Sequence, residues 1–124
     1  IEIKDERNIR LLGHIESDRE LAAICAGSKG LVYPSLYEGF GLPIVEAFNL
    51  SIPVVTSNLG SMKEVSGDAA ILVDPYNVNS IADGIEKMLS TPKTLIAKGL
   101  KRVKDFSWAK TAEETLKVYE EVSL

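Results

Sequence analysis

The chain has one cysteine and one histidine in 124 residues, and neither falls in a pattern that reactive chemistry uses. Cys25 sits in Leu21-Ala22-Ala23-Ile24-Cys25-Ala26, an apolar helix face, which predicts a buried, reduced thiol rather than a nucleophile and fits a reducing compartment. With His14 alone, and no grouping of His, Cys or Asp at ligand spacing, neither a metal centre nor a Ser-His-Asp arrangement is expected. No apolar stretch reaches membrane-spanning length and no signal-peptide pattern opens the chain, so the expected location is cytoplasmic, without direct membrane insertion. An excess of basic charge is missing too. The net charge is −4, and Lys and Arg are scattered except around Lys98 to Lys104, which argues against nucleic-acid binding and gives little attraction to anionic lipid. Glu113-Glu114 and Glu120-Glu121 read as a solvated helix face.

What the chain does have is enough apolar material for one core. At 45% hydrophobic and 26% charged residues, it reads as a single domain over residues 1–124. Strand-like apolar runs at Ile9 to Ile15, Leu31 to Tyr33, Pro53 to Ser57 and Ala70 to Val73 alternate with helical patterns at Arg19 to Ala26, Pro43 to Leu50 and Ser80 to Leu89. That alternation predicts an α/β fold, a parallel sheet with helical crossovers. Pro92 opens a further helix to about Lys104, and Ala109 to Val122 continues as an amphipathic helix with Leu116 and Tyr119 on one side. Asp18, Asn79 and Ser107 are the expected N-caps.

The densest chemistry lies between the second run and the second helix, in Tyr37-Glu38-Gly39-Phe40-Gly41-Leu42-Pro43-Ile44-Val45-Glu46-Ala47. A strand that feeds a glycine loop and then a helix leaves backbone N–H groups pointing outward with the positive end of the helix dipole behind them, a setting suited to phosphate. Pro43 has a φ already set for the first helical position, and neither Gly41 nor Leu42 carries a side-chain oxygen to cap the first turn. A ligand can do the capping instead. Glu46, one turn into the helix, suits a vicinal diol such as a ribose, and Glu38, on the loop, would face whatever extends beyond the phosphates. On spacing alone, a solvated Glu46 beside a merely tight turn remains the simpler explanation.

The full string Pro34-Ser35-Leu36-Tyr37-Glu38-Gly39-Phe40-Gly41-Leu42-Pro43-Ile44-Val45-Glu46-Ala47 resembles the signature of the retaining, nucleotide-sugar-dependent glycosyltransferases of the GT-B fold, known as glycosyl transferases group 1 or family 4. Asn8 to Ile15, Pro53 to Ser57 and Gly67 to Pro75 resemble the family's flanking strands, and Phe106-Ser107-Trp108 resembles the aromatic element before its last helix. The resemblance implies a Rossmann-like parallel sheet forming part of the C-terminal domain of a GT-B enzyme, and a nucleoside diphosphate sugar as donor. It implies that Glu38 lies against the donor sugar near the reacting centre and that Glu46 holds the ribose. The loop around Gly39, with the amides of Phe40, Gly41 and Leu42, would approach the sugar and diphosphate. Gly13, His14 and Ile15 become candidates to lie near the nucleotide base. No cofactor is implied, since GT-B enzymes generally need no metal.

The resemblance also implies parts that these residues do not match: an N-terminal domain for the acceptor, a glycan or lipid hydroxyl, and two strands that open the C-terminal domain. With the doubly wound order 3-2-1-4-5-6, the run at Ile9 to Ile15 would be third and that at Leu31 to Tyr33 fourth, with the two unmatched strands between them. An incomplete sheet of this kind would invite self-association, and transfer would need the second domain. In the full enzyme a membrane-peripheral position is then also open. Lys29 and Lys63 are the lone candidates to neutralise a diphosphate. Ser51 stands where the family usually has a glycine with positive φ, which predicts a different helix end. Glu64 is read as structural, with a place lining the donor side as the lesser alternative. The competing readings are a non-catalytic nucleotide-sugar-binding or assembly module and a GT-B epimerase or phosphorylase.

Overall fold

The computed structural model describes residues 8–123, so that residues 1–7 and 124 of the expected single domain lie outside the described part. The chain first forms α1 (Asp18–Ala26), then β1 (Leu31–Tyr33), α2 (Leu42–Asn49), β2 (Val54–Ser57), α3 (Gly60–Ser66) and β3 (Ile71–Val73). Three helices close it, α4 (Val78–Ser90), α5 (Pro92–Arg102) and, after a single 3₁₀ turn at Val103–Asp105, α6 (Trp108–Val122). The strands form one parallel sheet in the order β1-β2-β3, with Leu31 opposite Val54 and Val55 opposite Ile71. Parallel neighbours cannot be joined by a tight hairpin, so α2 and α3 are the crossovers between them. This is the α/β, Rossmann-like arrangement expected, and its three strands run in sequence order as the fourth, fifth and sixth of the doubly wound order do.

The sheet is covered on both faces, and its central strand shows the consequence. All four residues of β2 are buried, the near-continuous apolar reading of a strand enclosed on two sides. Successive side chains point to opposite faces, and the core divides accordingly. Val54 packs with Ile44, Ala47 and Phe48 of α2, Met62 and Val65 of α3, and Ile52, Ala69 and Ala70. Val55 packs on the other face with Val73, Met88 of α4 and Leu95 of α5. Phe48 is 1% exposed, and burying a side chain of that size stabilises the fold by about 2–3 kcal/mol. Helix α5 comes so close to it that a Cβ at Gly99 would stand 2.7 Å from Phe48 Cδ1. Only glycine permits that approach.

Polar side chains inside are paired. The Thr56 hydroxyl donates to the Tyr33 carbonyl at 2.9 Å, the Ser66 hydroxyl to the Met62 carbonyl at 2.7 Å, and the Leu59 amide to the Ser57 hydroxyl at 3.1 Å. Among the described residues no buried side-chain polar atom lacks a partner, as burial in low dielectric requires.

Several expectations are corrected. The run Ile9 to Ile15 forms no strand, and Ile9, Leu11 and Leu12 are 50%, 78% and 52% exposed. Alternating apolar residues make a strand only beside another that completes its ladder, and no described strand lies there. His14 therefore lies on irregular chain and not on the expected strand. Ser17, not Asp18, caps α1, accepting from the Glu20 amide at 3.3 Å, and Asn77, not Asn79, caps α4, accepting from the Asn79 and Ser80 amides. Ser107 caps α6 as expected, accepting from the Lys110 amide at 3.1 Å. Cys25 is a free thiol but only half-buried, since it packs against the rim of the core from α1, a helix that buries none of its residues.

Ser51 supplies the most informative correction. Its φ is +60°, the left-handed value expected of a glycine, and so the end of α2 is not different after all. The Ile52 amide donates to the Ala47 carbonyl at 2.9 Å and the Ser51 amide to the Phe48 carbonyl at 3.1 Å, the paired bonds of a Schellman ending. Ile52 is buried in the α2 core, which holds the turn shut over a serine. A non-glycine residue in this region costs roughly 1–2 kcal/mol.

Candidate functional site

β1 ends at Tyr33, and the chain crosses to α2 through Pro34 to Gly41. Gly41 is the N-cap, with φ +101° and ψ 45°, a conformation that L side chains rarely adopt. The helix starts at Leu42, one residue earlier than expected, which makes Pro43 its second residue. No side chain caps this end. The Ile44 amide donates to the Gly41 carbonyl at 3.0 Å, while among the described residues the amides of Phe40, Gly41 and Leu42 find no protein acceptor. Those donors and the helix dipole form one positively polarised corner.

Glu38 is held at two points. Its carboxylate Oε1 accepts from the Tyr33 hydroxyl at 2.5 Å, and its carbonyl accepts from the Ser61 hydroxyl of α3 at 2.8 Å. Burial first, and then the hydrogen bond to Glu38, push the Tyr33 phenol above its ordinary pKa; a hydrogen bond to Ser35 opposes them, and the negative charge of Glu38 adds the smallest push upward. The phenol therefore stays protonated and keeps donating at neutral pH.

Glu46 is exposed on α2 and lines a cleft of about 670 Å³ with Phe40, Leu42, Val45, Phe106 and Trp108. Gly39 and Phe40 border a smaller cavity of about 290 Å³ on the other side of the loop, with Ser61, Glu64 and Arg102. The structure thus brings Phe40, Leu42 and Glu46 to one cleft, buries Gly41 beneath them, and holds Glu38 separately on the loop. Gly13, His14 and Ile15 line neither cavity. Lys29 and Lys63 are exposed.

Three residues that the sequence did not mark as site residues shape this region. The Arg102 guanidinium donates to the carbonyls of Val65 at 3.0 Å and Glu64 at 2.8 Å, closing the C-terminal end of α3, and pairs with Asp105 at 2.9 Å. It also lies 5.0 Å from the centre of the Phe106 ring, and Phe106 meets Phe40 edge to face at 5.8 Å. Tyr33 is the third. Its position at the carboxyl end of a strand, where open α/β sheets bind ligands, was the available signal; Arg102 lies far along the chain from the loop and gave none.

This geometry has relatives. Residues 2–114 match the family described as "Glycosyl transferases group 1", and the chain belongs to that family. It is 42% identical over 114 residues to the O-antigen chain mannosyltransferase B of Escherichia coli, covering 90% of this chain and 30% of that protein. It is 40% identical over 111 residues to the MMP alpha-(1->4)-mannosyltransferase of Mycolicibacterium hassiacum, covering 84% of this chain and 27% of that one. Among solved structures, the sucrose-phosphate synthase of Thermosynechococcus elongatus superposes with a TM-score of 0.73 at 30% identity, over 83% of this chain and 27% of that one. The chain spans less than a third of the length of these relatives, and its fold is part of the C-terminal domain of a GT-B glycosyltransferase.

Proposed function

We propose that this chain is the donor-binding part of a retaining glycosyltransferase that moves a hexose-like sugar from a nucleoside diphosphate to a hydroxyl of a glycan or lipid acceptor. The observation that carries the reading is the start of α2: amides of Phe40, Gly41 and Leu42 without a protein acceptor, and Glu46 exposed one turn along the same helix. Preorganised N–H donors beside a helix terminus suit a diphosphate leaving group, whose negative charge grows as the sugar departs. Glu46 holds the ribose diol and Glu38 orients the sugar. Acceptor binding falls to a second domain, and no residue grouping among the described residues calls for a metal. The names of the two mannosyltransferase relatives favour mannose as the sugar.

No helix among the described residues is long and apolar enough to cross a membrane, and a membrane-peripheral position of the full enzyme is part of the proposal. β1 pairs with β2 on one side and with no described strand on the other, which leaves an edge on which a further strand or a second copy can dock.

Calorimetric titration with GDP, UDP, GDP-mannose and UDP-glucose tests the site. The cleft that Glu46 lines holds a single described basic side chain, Lys110, so micromolar to millimolar binding of a diphosphate is expected. Glu46→Ala should weaken it by about tenfold or more, the cost of a lost hydrogen bond to a charged group. Absence of binding to all four compounds, or binding that Glu46→Ala leaves unchanged, sinks the assignment.

A further inference from the structure

We infer that Tyr33 is a positioning residue for the donor sugar, acting through Glu38: its hydroxyl engages one carboxylate oxygen so that the other is presented to a sugar hydroxyl. This rests on the donor-site reading above and adds to it a residue outside the glycine motif. The support is geometric. Tyr33 is the last residue of β1, paired in register with Thr56, and the buried Thr56 hydroxyl holds its carbonyl at 2.9 Å. The phenol is thus mounted on a strand of the sheet and reaches the loop at Glu38 Oε1, 2.5 Å away. Ser61 fixes the backbone of the same residue from the opposite side. Between these two holds Glu38 Oε2 has no protein partner among the described residues. An ionised carboxylate only accepts hydrogen bonds and a sugar hydroxyl can donate one, so the unengaged oxygen matches the ligand's chemistry.

Without the phenol, the glutamate side chain would regain its rotamers and lose that orientation. Phe at position 33 keeps the ring in the strand and removes only the donor. The reading therefore separates sugar recognition from nucleotide recognition: Tyr33 and Glu38 govern the first, while Glu46 and the loop amides govern the second.

The test compares the affinity margin between GDP-mannose and GDP, and between UDP-glucose and UDP, in the wild-type chain and in Tyr33→Phe. The substitution should shrink the margin by about tenfold while leaving GDP and UDP affinities within about twofold. A margin that survives in Tyr33→Phe overturns the inference and leaves the donor site standing. A wild-type chain that binds the nucleotides with no margin for the sugar also overturns it, because Glu38 then meets no sugar. Failure of the wild type to bind any of the four compounds overturns the donor-site reading itself, and this one with it. Should Tyr33→Phe not fold, Glu38→Gln provides the second arm, read by the titration of the Tyr33 ring carbons in tyrosine-labelled protein. Removing the carboxylate charge should move the Tyr33 titration downward, and an unmoved titration shows that the hold does not exist in solution.

Discussion

Helix α2 has 8 residues and buries Ile44, Ala47 and Phe48, whereas α6 has 15 and buries none. Both read as helices in the sequence, and both begin beside residues the sequence marks, Pro43 and Ser107. What separates them is the surface each one meets. α2 lies on β1 and β2 with α3 and α5 against it, so its apolar face is removed from water. In α6, Leu116, Tyr119 and Val122 are 56%, 63% and 73% exposed, and among the described residues nothing covers them. That helix is held by its Ser107 cap and by one-turn ion pairs such as Lys117 to Glu113 at 2.7 Å, worth a few tenths of a kcal/mol each. An apolar stripe thus says that a helix can be buried, and only the tertiary neighbours say that it is. The proposed site sits on the well-packed helix, as a constellation that must hold its geometry should.

The contrast can be broken most directly at its ends. Phe48→Ala should cost about 3–5 kcal/mol, enough to threaten a domain of this size, while Leu116→Ala should change stability by no more than about 0.5 kcal/mol; urea denaturation of the two variants measures both. Similar losses from the two substitutions would mean that α6 is packed in solution. A smaller and opposite effect is expected at the end of α2, where Ser51→Gly should stabilise the protein by about 1 kcal/mol through relief of the positive φ, seen as a higher melting temperature. The smallest effect belongs to the surface. The Lys98 ammonium, 2.9 Å from Asp68, holds that carboxyl below its ordinary pKa, so the pair favours the fold above the unfolded-state pKa near 3.8 and loses its effect as pH falls through the lower folded-state value. Asp68→Asn should therefore flatten this part of the acid limb of the stability profile slightly, and about 1 M salt should remove the difference.

Much of this was legible in the residues. Leu31 to Tyr33, Val54 to Ser57 and Ile71 to Val73 are short apolar runs bounded by turn residues, and each became a strand because its neighbour in sequence was also its neighbour in space. The glycine loop and the uncapped start of α2 were visible because Gly41 and Pro43 constrain their own backbone whatever surrounds them. Ile9 to Ile15 misled because a strand is a property of a pair. Neighbouring cap candidates such as Ser17 and Asp18 were undecidable from residue type, since both side chains can accept from a first-turn amide and backbone direction chooses between them. Ser51 misled for the opposite reason: its side chain disfavours the conformation, but the buried Ile52 beyond it enforces the turn. Tyr33 and Arg102 act across separations that no local pattern records.

Phe40 and Phe48 lie at the two ends of the same loop-and-helix segment, and one stretch of chain touches both. Gly99 of α5 receives the Phe48 ring, and Phe106, just beyond α5, meets Phe40, with Arg102 between them tied to α3. The glycine loop is consequently clamped fore and aft to a helix that follows it much later in sequence. It has little freedom to flap as a loop. Any opening or closing of this site has to displace α2, α3 and α5 together as a single body, so the motion to look for is a hinge outside this block and not a bend within the glycines.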